Sequence, residues 1–291
     1  MKRIIPIAVI VLAASGCAGA TDDTVDDIKL SEANYSDTDN ASHQDFKHEY
    51  GVFIGAEESD IVEKCTDYET VVVEGLEMDP ATISALKEDG HIVYSYLDIG
   101  SLENYRPYYD EFEAYKLDVY DNWPDEYWMD VSYKPWQDYV VDELATGLAN
   151  EGFDGFFLDN ADVCYHYNTD EVYEALINIV GGIDKLGRYV MINGGDTFVS
   201  KLIEDGRTDI IDGINQETVF SSIEDYENDV FDRQPDDERE YFCDYIESAD
   251  SAGIDVYLLE YTKDEELISQ IEDYCNTQKF GYYISGSVKL N

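Results

Sequence analysis

The stretch that decides the fold is Gly152-Phe153-Asp154-Gly155-Phe156-Phe157-Leu158-Asp159-Asn160. Its apolar residues predict a short buried β-strand with Asp159 at the carboxyl end. Because burying an unpaired carboxylate is costly, Asp159 needs either a compensating partner or a chemical role. In barrel enzymes the carboxyl ends of the strands carry the catalytic groups. The stretch therefore raises the question of whether the rest of the chain builds such a barrel.

Seven further apolar segments alternate with helical patterns along the chain. The eight predicted strands are residues 50–55, 71–75, 92–99, 155–160, 189–194, 213–219, 256–261 and 281–285. Helix signals lie between them: Pro135 at a first helical position, Gly152 just past the end of that helix, and Thr169 as an N-cap. Eight such alternations predict an α/β protein with a (β/α)8 TIM barrel, for which 291 residues suffice. The alternative is a doubly wound open sheet, although no G-x-G-x-x-G follows the first strand.

The charge of the chain excludes one class of partner. With 66 acidic and 18 basic residues, the net charge is −48. Nucleic-acid binding is not expected, because there is no basic surface to displace counterions. An acidic surface would instead concentrate a cationic polymer at low salt. Solubility, an acidic cell surface or a salty habitat is the preferred explanation of the charge, because charge bears on solubility and association more than on chemistry.

The N-terminus has the features of an export signal. Lys2 and Arg3 precede the apolar run 4–14, which is too short to span a bilayer. The run ends in Ala14-Ser15-Gly16-Cys17, which resembles a bacterial lipobox whose Cys17 becomes the lipidated first residue. An ordinary cleaved signal peptide is the alternative. Either way, we expect export, and with the lipid we expect anchoring at the bacterial cell surface.

The segments that follow predict one folded domain behind a linker. We expect residues 1–17 to be the lipoprotein signal, residues 18–46 to be a flexible acidic linker, and residues 47–291 to be the barrel domain. We expect a monomer that contacts a membrane only through the N-terminal lipid. Export permits disulfides, but sequence alone does not choose among the three pairings of four cysteines. These are Cys65, Cys164, Cys243 and Cys275.

Polar residues lie at the carboxyl ends of seven predicted strands: Glu74, Asp98, Asp159, Asn193, Glu217, Glu260 and Ser285. In a barrel these ends meet at one face, and paired carboxylates at a concave face suggest glycoside hydrolysis. One carboxylic acid protonates the leaving oxygen, while the other carboxylate attacks the anomeric carbon or activates water. Asp159 and Glu217 are the best pair, because the fourth and sixth strands lie close enough to flank one bond. A hard-metal site built from Asp98, Asp159, Glu217 and Glu260 is an alternative.

A long aromatic connection follows the third predicted strand. Residues 101–134 form a connection of over thirty residues, and long loops of this kind are usually functional. Its aromatic residues include Tyr105, Trp123 and Trp128, and residues 128–131 have the pattern of a short extra strand. Such a loop is either a platform for sugars or a hydrophobic lid over the barrel.

Four segments resemble glycoside hydrolase family 114. They are residues 90–106, 123–131, 136–138 and 152–160, and they occur in the family's order within a resemblance covering about residues 50–290. The family is typified by endo-α-1,4-polygalactosaminidases with a (β/α)8 fold. The resemblance implies that Asp159 and Glu217 are the catalytic acids. By analogy with related retaining α-glycosidases, Asp159 is the expected nucleophile and Glu217 the expected acid/base.

The resemblance also implies a substrate, an α-1,4 polymer that contains galactosamine and whose free amines are cationic. No cofactor and no metal are expected. Eight residues are expected to line the substrate site: Tyr96, Asp98, Tyr105, Arg106, Trp128, Asp130, Asn193 and Glu260. Two alternatives stay open: a non-catalytic surface lipoprotein that binds polysaccharide, and a glycosidase acting on a neutral galactoside-type glycan.

Overall fold

Eight parallel strands form the centre of the molecule. The computed structural model describes residues 45–120 and 123–291. Strands β1 to β8 are His48–Phe53, Tyr68–Val73, Ile92–Asp98, Gly155–Asp159, Tyr189–Asn193, Gly213–Glu217, Asp255–Tyr261 and Gly281–Ser285. Each strand pairs in parallel with the next. The first and last strands are adjacent, with the rings of Phe53 and Tyr283 5.4 Å apart. The predicted (β/α)8 barrel is confirmed.

A helix follows each of the first seven strands. Helices α1, α2 and α4 to α7 are Glu58–Cys65, Pro80–Glu88, Asp170–Asp184, Asp196–Asp205, Asp236–Ser251 and Glu265–Gln278. Helix α3 comprises Lys134–Asp138, the π-helical Tyr139–Ala145 and Thr146–Glu151. Two predicted signals are confirmed. Gly152 follows α3 with φ 104°, and the Thr169 hydroxyl accepts a hydrogen bond from the Val172 backbone N–H at 3.2 Å.

Two insertions rise from the carboxyl ends of the strands. After β3, the strands Ser101–Glu103, Lys116–Val119 and Glu126–Met129 form an antiparallel unit that we call the loop sheet. The predicted extra strand at 128–131 is real but begins and ends two residues earlier. After β6, Ser221–Asp225 and Val230–Arg233 form the second insertion, called here the hairpin. These insertions make the walls above the barrel.

Strand alternation separates the apolar residues into two layers. Tyr50, Val72, Phe157 and Leu259 are among the residues that fill the barrel interior, whereas Phe156 and Leu158 belong to the layer between strands and helices. Side chains alternate along a strand. Asp159 is therefore on the interior side of β4, at the carboxyl end.

The described cysteines are thiols, with Cys65, Cys164 and Cys275 buried and Cys243 half-buried. Within residues 45–120 and 123–291, no helix is long and apolar enough to cross a bilayer. The predicted signal segment with Cys17, and nearly all of the predicted linker, lie outside the described residues.

Candidate active site

A cleft of about 770 Å³ lies above the carboxyl ends of the strands, between the loop sheet and the hairpin. Six carboxylate residues line it: Glu74, Glu103, Glu126, Asp159, Asp162 and Glu217. Aromatic residues line it as well: Tyr96, Tyr105, Tyr120, Trp123, Trp128, His166, Tyr226 and Tyr261. The cleft is thus both acidic and rich in rings.

Asp159 and Glu217 are joined through one amide. The Nδ2 atom of Asn193, at the end of β5, donates to Oδ1 of Asp159 and to Oε1 of Glu217, each at 2.8 Å. Because both bonds share one nitrogen, the two oxygens lie at most twice 2.8 Å, or about 5.6 Å, apart. Strands four and six therefore present two carboxylates to one point of the cleft.

A buried chain of polar groups fixes the orientation of the Asn193 amide. Its Oδ1 atom accepts a hydrogen bond from Nδ2 of Asn215 at 2.7 Å, and Oδ1 of Asn215 accepts one from the Tyr50 hydroxyl at 3.1 Å. Asn215 and Tyr50 are fully buried. Because the amide oxygen of Asn193 accepts the hydrogen bond from Asn215, its nitrogen, the only donor of the side chain, points toward the two acids.

Burial raises the pKa of Glu217, and the charge of Asp159 raises it further. The Asn193 amide and the Tyr261 hydroxyl, which donates to Oε2 at 2.8 Å, act in the opposite direction. Glu217 therefore tends to hold a proton while its neighbour is ionised.

Burial also raises the pKa of Asp159, but three donors oppose the effect. They are the Asn193 amide, the backbone N–H of Asn160 at 2.9 Å, and the Tyr96 side chain. Asp159 thus has one more donor than Glu217. The difference favours Asp159 as the ionised member of the pair.

A second acidic cluster lies beside the pair. The Ser101 hydroxyl lies between carboxylate oxygens of Asp98 and Glu126, and Asn160 Nδ2 donates to Glu126 at 2.7 Å. The Ser101 hydroxyl has one proton, so it donates to only one of these carboxylates at a time. Burial and neighbouring acids raise the pKa of Asp98 well above its usual value and that of Glu126 to about 7, which favours the protonated form of both acids.

Arg106 forms ion pairs with two carboxylates of the cleft wall. Its guanidinium contacts Glu74 at 2.9 Å and Glu103 at 2.6 Å, and it is itself 5 % exposed. The two glutamates line the cleft, whereas Arg106 does not. Its positive charge offsets the repulsion between these two carboxylates.

The structure brings six of the ten predicted site residues to the cleft: Tyr96, Tyr105, Trp128, Asp159, Asn193 and Glu217. Asp98, Arg106, Asp130 and Glu260 do not line it, contrary to the expectation for these four positions. Asp130 accepts hydrogen bonds from the backbone and hydroxyl of Ser132, at 3.1 and 2.5 Å, in the turn before α3.

The position of Glu260 has a simple cause in strand alternation. Leu259 and Tyr261 face the barrel interior, so Leu258 and Glu260 share the opposite side of β7. There Glu260 accepts hydrogen bonds from the backbone of Phe220 and Ser221, each at 2.9 Å. The expectation that Glu260 lines the substrate site is therefore wrong, because Glu260 lies on the outward face of β7.

The four carboxylates of the alternative metal site do not converge, because Asp98 is occupied by the Ser101 turn and Glu260 by the base of the hairpin. Among residues 45–120 and 123–291, no group of three or more His, Cys, Asp or Glu side chains is arranged to hold a metal ion.

Several cleft residues were missed by the sequence analysis. Glu126 and Tyr120 come from the loop sheet, Tyr226 from the hairpin, and Tyr261 from the inward face of β7. Of these four residues, only Tyr261 was predictable from the sequence, because strand alternation places it on the same face as the apolar Leu259. The others depend on how long loops fold back over the barrel.

A (β/α)8 barrel with two carboxylates facing each other at the ends of strands four and six has the arrangement expected of a glycoside hydrolase. The sequence model of glycoside-hydrolase family GH114 matches residues 31–285, and the chain belongs to this family. The protein is accordingly a glycoside hydrolase. A sequence search among curated proteins found no match.

Solved structures with the same fold include the glycoside hydrolase domain of PelA from Pseudomonas aeruginosa. Its TM-score is 0.67 and its sequence identity is 16 %, and the match covers 84 % of this chain and 95 % of the PelA domain. Ega3 from Aspergillus fumigatus, in complex with galactosamine, has a TM-score of 0.62 and 18 % identity over 89 % and 98 %. The α-galactosidase TtGalA from Thermus thermophilus has a TM-score of 0.53 and 11 % identity over 81 % and 57 %. At these identities the likeness establishes the fold.

Proposed function

We propose that the protein is a retaining glycosidase that cleaves polysaccharide containing α-1,4-linked galactosamine, with Asp159 as nucleophile and Glu217 as acid/base. The observation that carries the proposal is the Asn193 bridge. Retaining enzymes hold their carboxyl groups about 5–5.5 Å apart, and inverting enzymes hold them about 6.5–9.5 Å apart. The facing oxygens of Asp159 and Glu217 lie at most about 5.6 Å apart, a limit on the nearest atoms of the two groups that is compatible with the retaining class.

The two acids then divide the reaction into two steps. Glu217 gives its proton to the glycosidic oxygen while the Asp159 carboxylate forms a bond to the anomeric carbon, and the leaving sugar departs. The ionised Glu217 next takes a proton from water, whose oxygen attacks the same carbon and releases Asp159. The hydrogen-bond donors around Asp159 suit a carboxylate that begins and ends ionised, and the raised pKa of Glu217 suits an acid.

The charge of the cleft supports a cationic substrate. Six carboxylates line it, and Lys289 is the one lysine or arginine among the described lining residues. Glu74 and Glu103 are paired with Arg106, but Glu126 and Asp162 have no cationic partner among the residues that the structure describes. The ammonium group of a galactosamine unit would supply one. Ega3, which shares the fold, binds galactosamine in its solved structure, and this supports the same sugar here.

Activity on partially deacetylated α-1,4-polygalactosamine tests the proposal. We expect the wild type to release oligosaccharides and Asp159→Asn and Glu217→Gln each to lose about 10³-fold or more in kcat. Asp250→Asn and Glu240→Gln, exposed on α6, are the matched controls. NMR of the first product should show the α anomer. Release of the β anomer contradicts retention, full activity of either acid variant contradicts the site, and activity confined to a neutral galactan contradicts the substrate.

We further propose that the mature protein is exported and held at the cell surface through a lipid on Cys17, on the sequence grounds given above. Incorporation of a radiolabelled fatty acid should require Cys17, and Cys17→Ser should release the protein from the membrane fraction. An unchanged membrane fraction for that variant contradicts lipid anchoring.

A further inference from the structure

In the part of the chain that the structure describes, the cleft has no insertion after β5. There the chain passes from Asn193 to helix α5 through only Gly194 and Gly195, with φ 61° and 62°. A Cβ atom on Gly194 would lie 2.7 Å from Oδ2 of Asp162, and one on Gly195 would lie 2.8 Å from Cβ of Ala161. The positive φ angles and the lack of space both require glycine here. The connection is therefore short and tight, whereas β3 and β6 carry the loop sheet and the hairpin.

Two exposed tyrosines lie near the Gly194-Gly195 connection. On one side, the Asp162 carboxylate accepts the Gly195 N–H at 3.1 Å, and the next turn carries Tyr165, whose N–H donates to the Asp162 carbonyl at 2.8 Å. On the other side, Asp196 accepts a hydrogen bond from the hydroxyl of Tyr241 on α6. Tyr165 is 65 % exposed and Tyr241 is 53 % exposed.

An aromatic surface connects the cleft to Tyr165. The ring of Trp128 in the cleft lies 4.5 Å from that of His166, and His166 lies 5.4 Å from Tyr165. Two large side chains that are more than half exposed contribute little to the core. Exposed rings in continuity with a binding cleft are typical of an interaction site.

Tyr165, Tyr241 and Asp196 combine aromatic rings with a carboxylate, as the cleft does. A tyrosine ring packs against the apolar face of a sugar, and it attracts an ammonium group by a cation–π interaction. Asp196 places a carboxylate beside the Tyr241 hydroxyl. The combination suits an amino sugar better than a neutral one.

We propose that Tyr165, Tyr241 and Asp196 form an accessory binding site for the part of a galactosamine-containing chain that leaves the cleft over β5. The inference rests on the proposed function, and it adds that the enzyme holds sugar units beyond those around the scissile bond. The site serves long chains and is not reached by short ones.

The test compares long and short substrates of the same sugar. For Tyr165→Ala/Tyr241→Ala we expect kcat/KM on partially deacetylated polygalactosamine to fall about tenfold, mainly through KM. On the shortest oligomer that the wild type cleaves, we expect a change below about twofold. Tyr115→Ala, a partly exposed tyrosine that does not line the cleft, is the matched control. Tyr241→Phe keeps the ring and should retain most of the polymer activity.

Equal losses on both substrates, or no loss on the polymer, overturn the accessory site. Retention of the enzyme on immobilised polymer, measured in the Glu217→Gln background, separates this inference from the proposed function. If the wild type cleaves neither substrate, the proposed hydrolysis fails. Weaker retention of the double tyrosine variant then still supports the accessory site, and unchanged retention overturns it.

Discussion

At the scale of single residues, Asn193 links the two proposed catalytic acids. One nitrogen donates to both carboxylates at 2.8 Å, and Asn215 and Tyr50 hold that nitrogen in place. Hydrogen bonds to a carboxylate favour its ionised form. Asn193 therefore keeps two buried acids close together and limits the rise of their pKa values.

Replacing Asn193 should show this role directly. We expect Asn193→Ala to lower kcat by about 10²–10³-fold, because a preorganised donor at the reacting groups is lost. Asn276→Ala, exposed on α7, is the control. A kcat within about threefold of wild type, with the fold intact by circular dichroism, would show that the bridge is dispensable.

Tyr261 offers a test of the acid role of Glu217. Its hydroxyl donates to Glu217 and lowers the pKa of that carboxyl, so Tyr261→Phe should raise the pKa. Glu217 would then stay protonated to higher pH, and the alkaline limb of the kcat/KM profile should move upward by up to about one pH unit.

The control for this shift is Tyr226→Phe, which changes another tyrosine of the cleft that makes no described hydrogen bond to Glu217. Its alkaline limb should stay where the wild type has it. A downward shift in Tyr261→Phe would contradict the assignment of Glu217 as the acid.

At the scale of elements, Glu260 ties the hairpin to the barrel. It is fully buried on β7 and accepts hydrogen bonds from two backbone N–H groups and the hydroxyl of Ser221 at 2.5 Å. Every partner is a donor. The carboxylate therefore completes the backbone hydrogen bonding where the chain enters the hairpin.

We expect Glu260→Gln to lower the free energy of unfolding by about 2–4 kcal/mol, because an amide donor would face N–H groups that need an acceptor. Urea unfolding measures the loss, and Glu272→Gln, exposed on α7, should change it by less than about 0.5 kcal/mol. An unchanged midpoint for Glu260→Gln would contradict the anchoring role. Since Glu260 does not line the cleft, the folded variant should keep substantial activity.

At the scale of the whole molecule, the net charge of −48 acts together with the acidic cleft. Such a field attracts a cationic polymer over a distance set by the ionic strength. The same field has little effect on a neutral chain. Charge thus influences encounter with substrate, while the acids at the cleft decide what happens there.

Salt should reveal this contribution. We expect kcat/KM on partially deacetylated polygalactosamine to fall about tenfold between 10 and 500 mM NaCl, because screening removes long-range attraction. Activity on a short, mostly acetylated oligomer serves as the control and should change by less than about twofold. An equal response of both substrates would contradict electrostatic attraction of the polymer.

Much of the fold was predictable from sequence. Each of the eight predicted strands exists, because near-continuous apolar runs such as 155–158, alternating with helical patterns, are typical of a parallel sheet covered on both sides. The Thr169 cap and the Gly152 end of α3 were predictable for local reasons, since both depend on one residue and its immediate backbone. Asp159, Asn193 and Glu217 follow from the same pattern, because they end inward-facing positions of consecutive strands.

The remainder of the site was decided by tertiary structure. Strand alternation left open which face of β7 looks inward, so Glu260 was predicted at the cleft and Tyr261 was not. Glu126 and Tyr226 reach the cleft only because two long insertions fold over the barrel. The sequence by itself determined the barrel and the placement of Asp159 and Glu217 at the ends of strands four and six, since these depend on short-range periodicity. The cleft wall depends on contacts between distant segments, which no local pattern records.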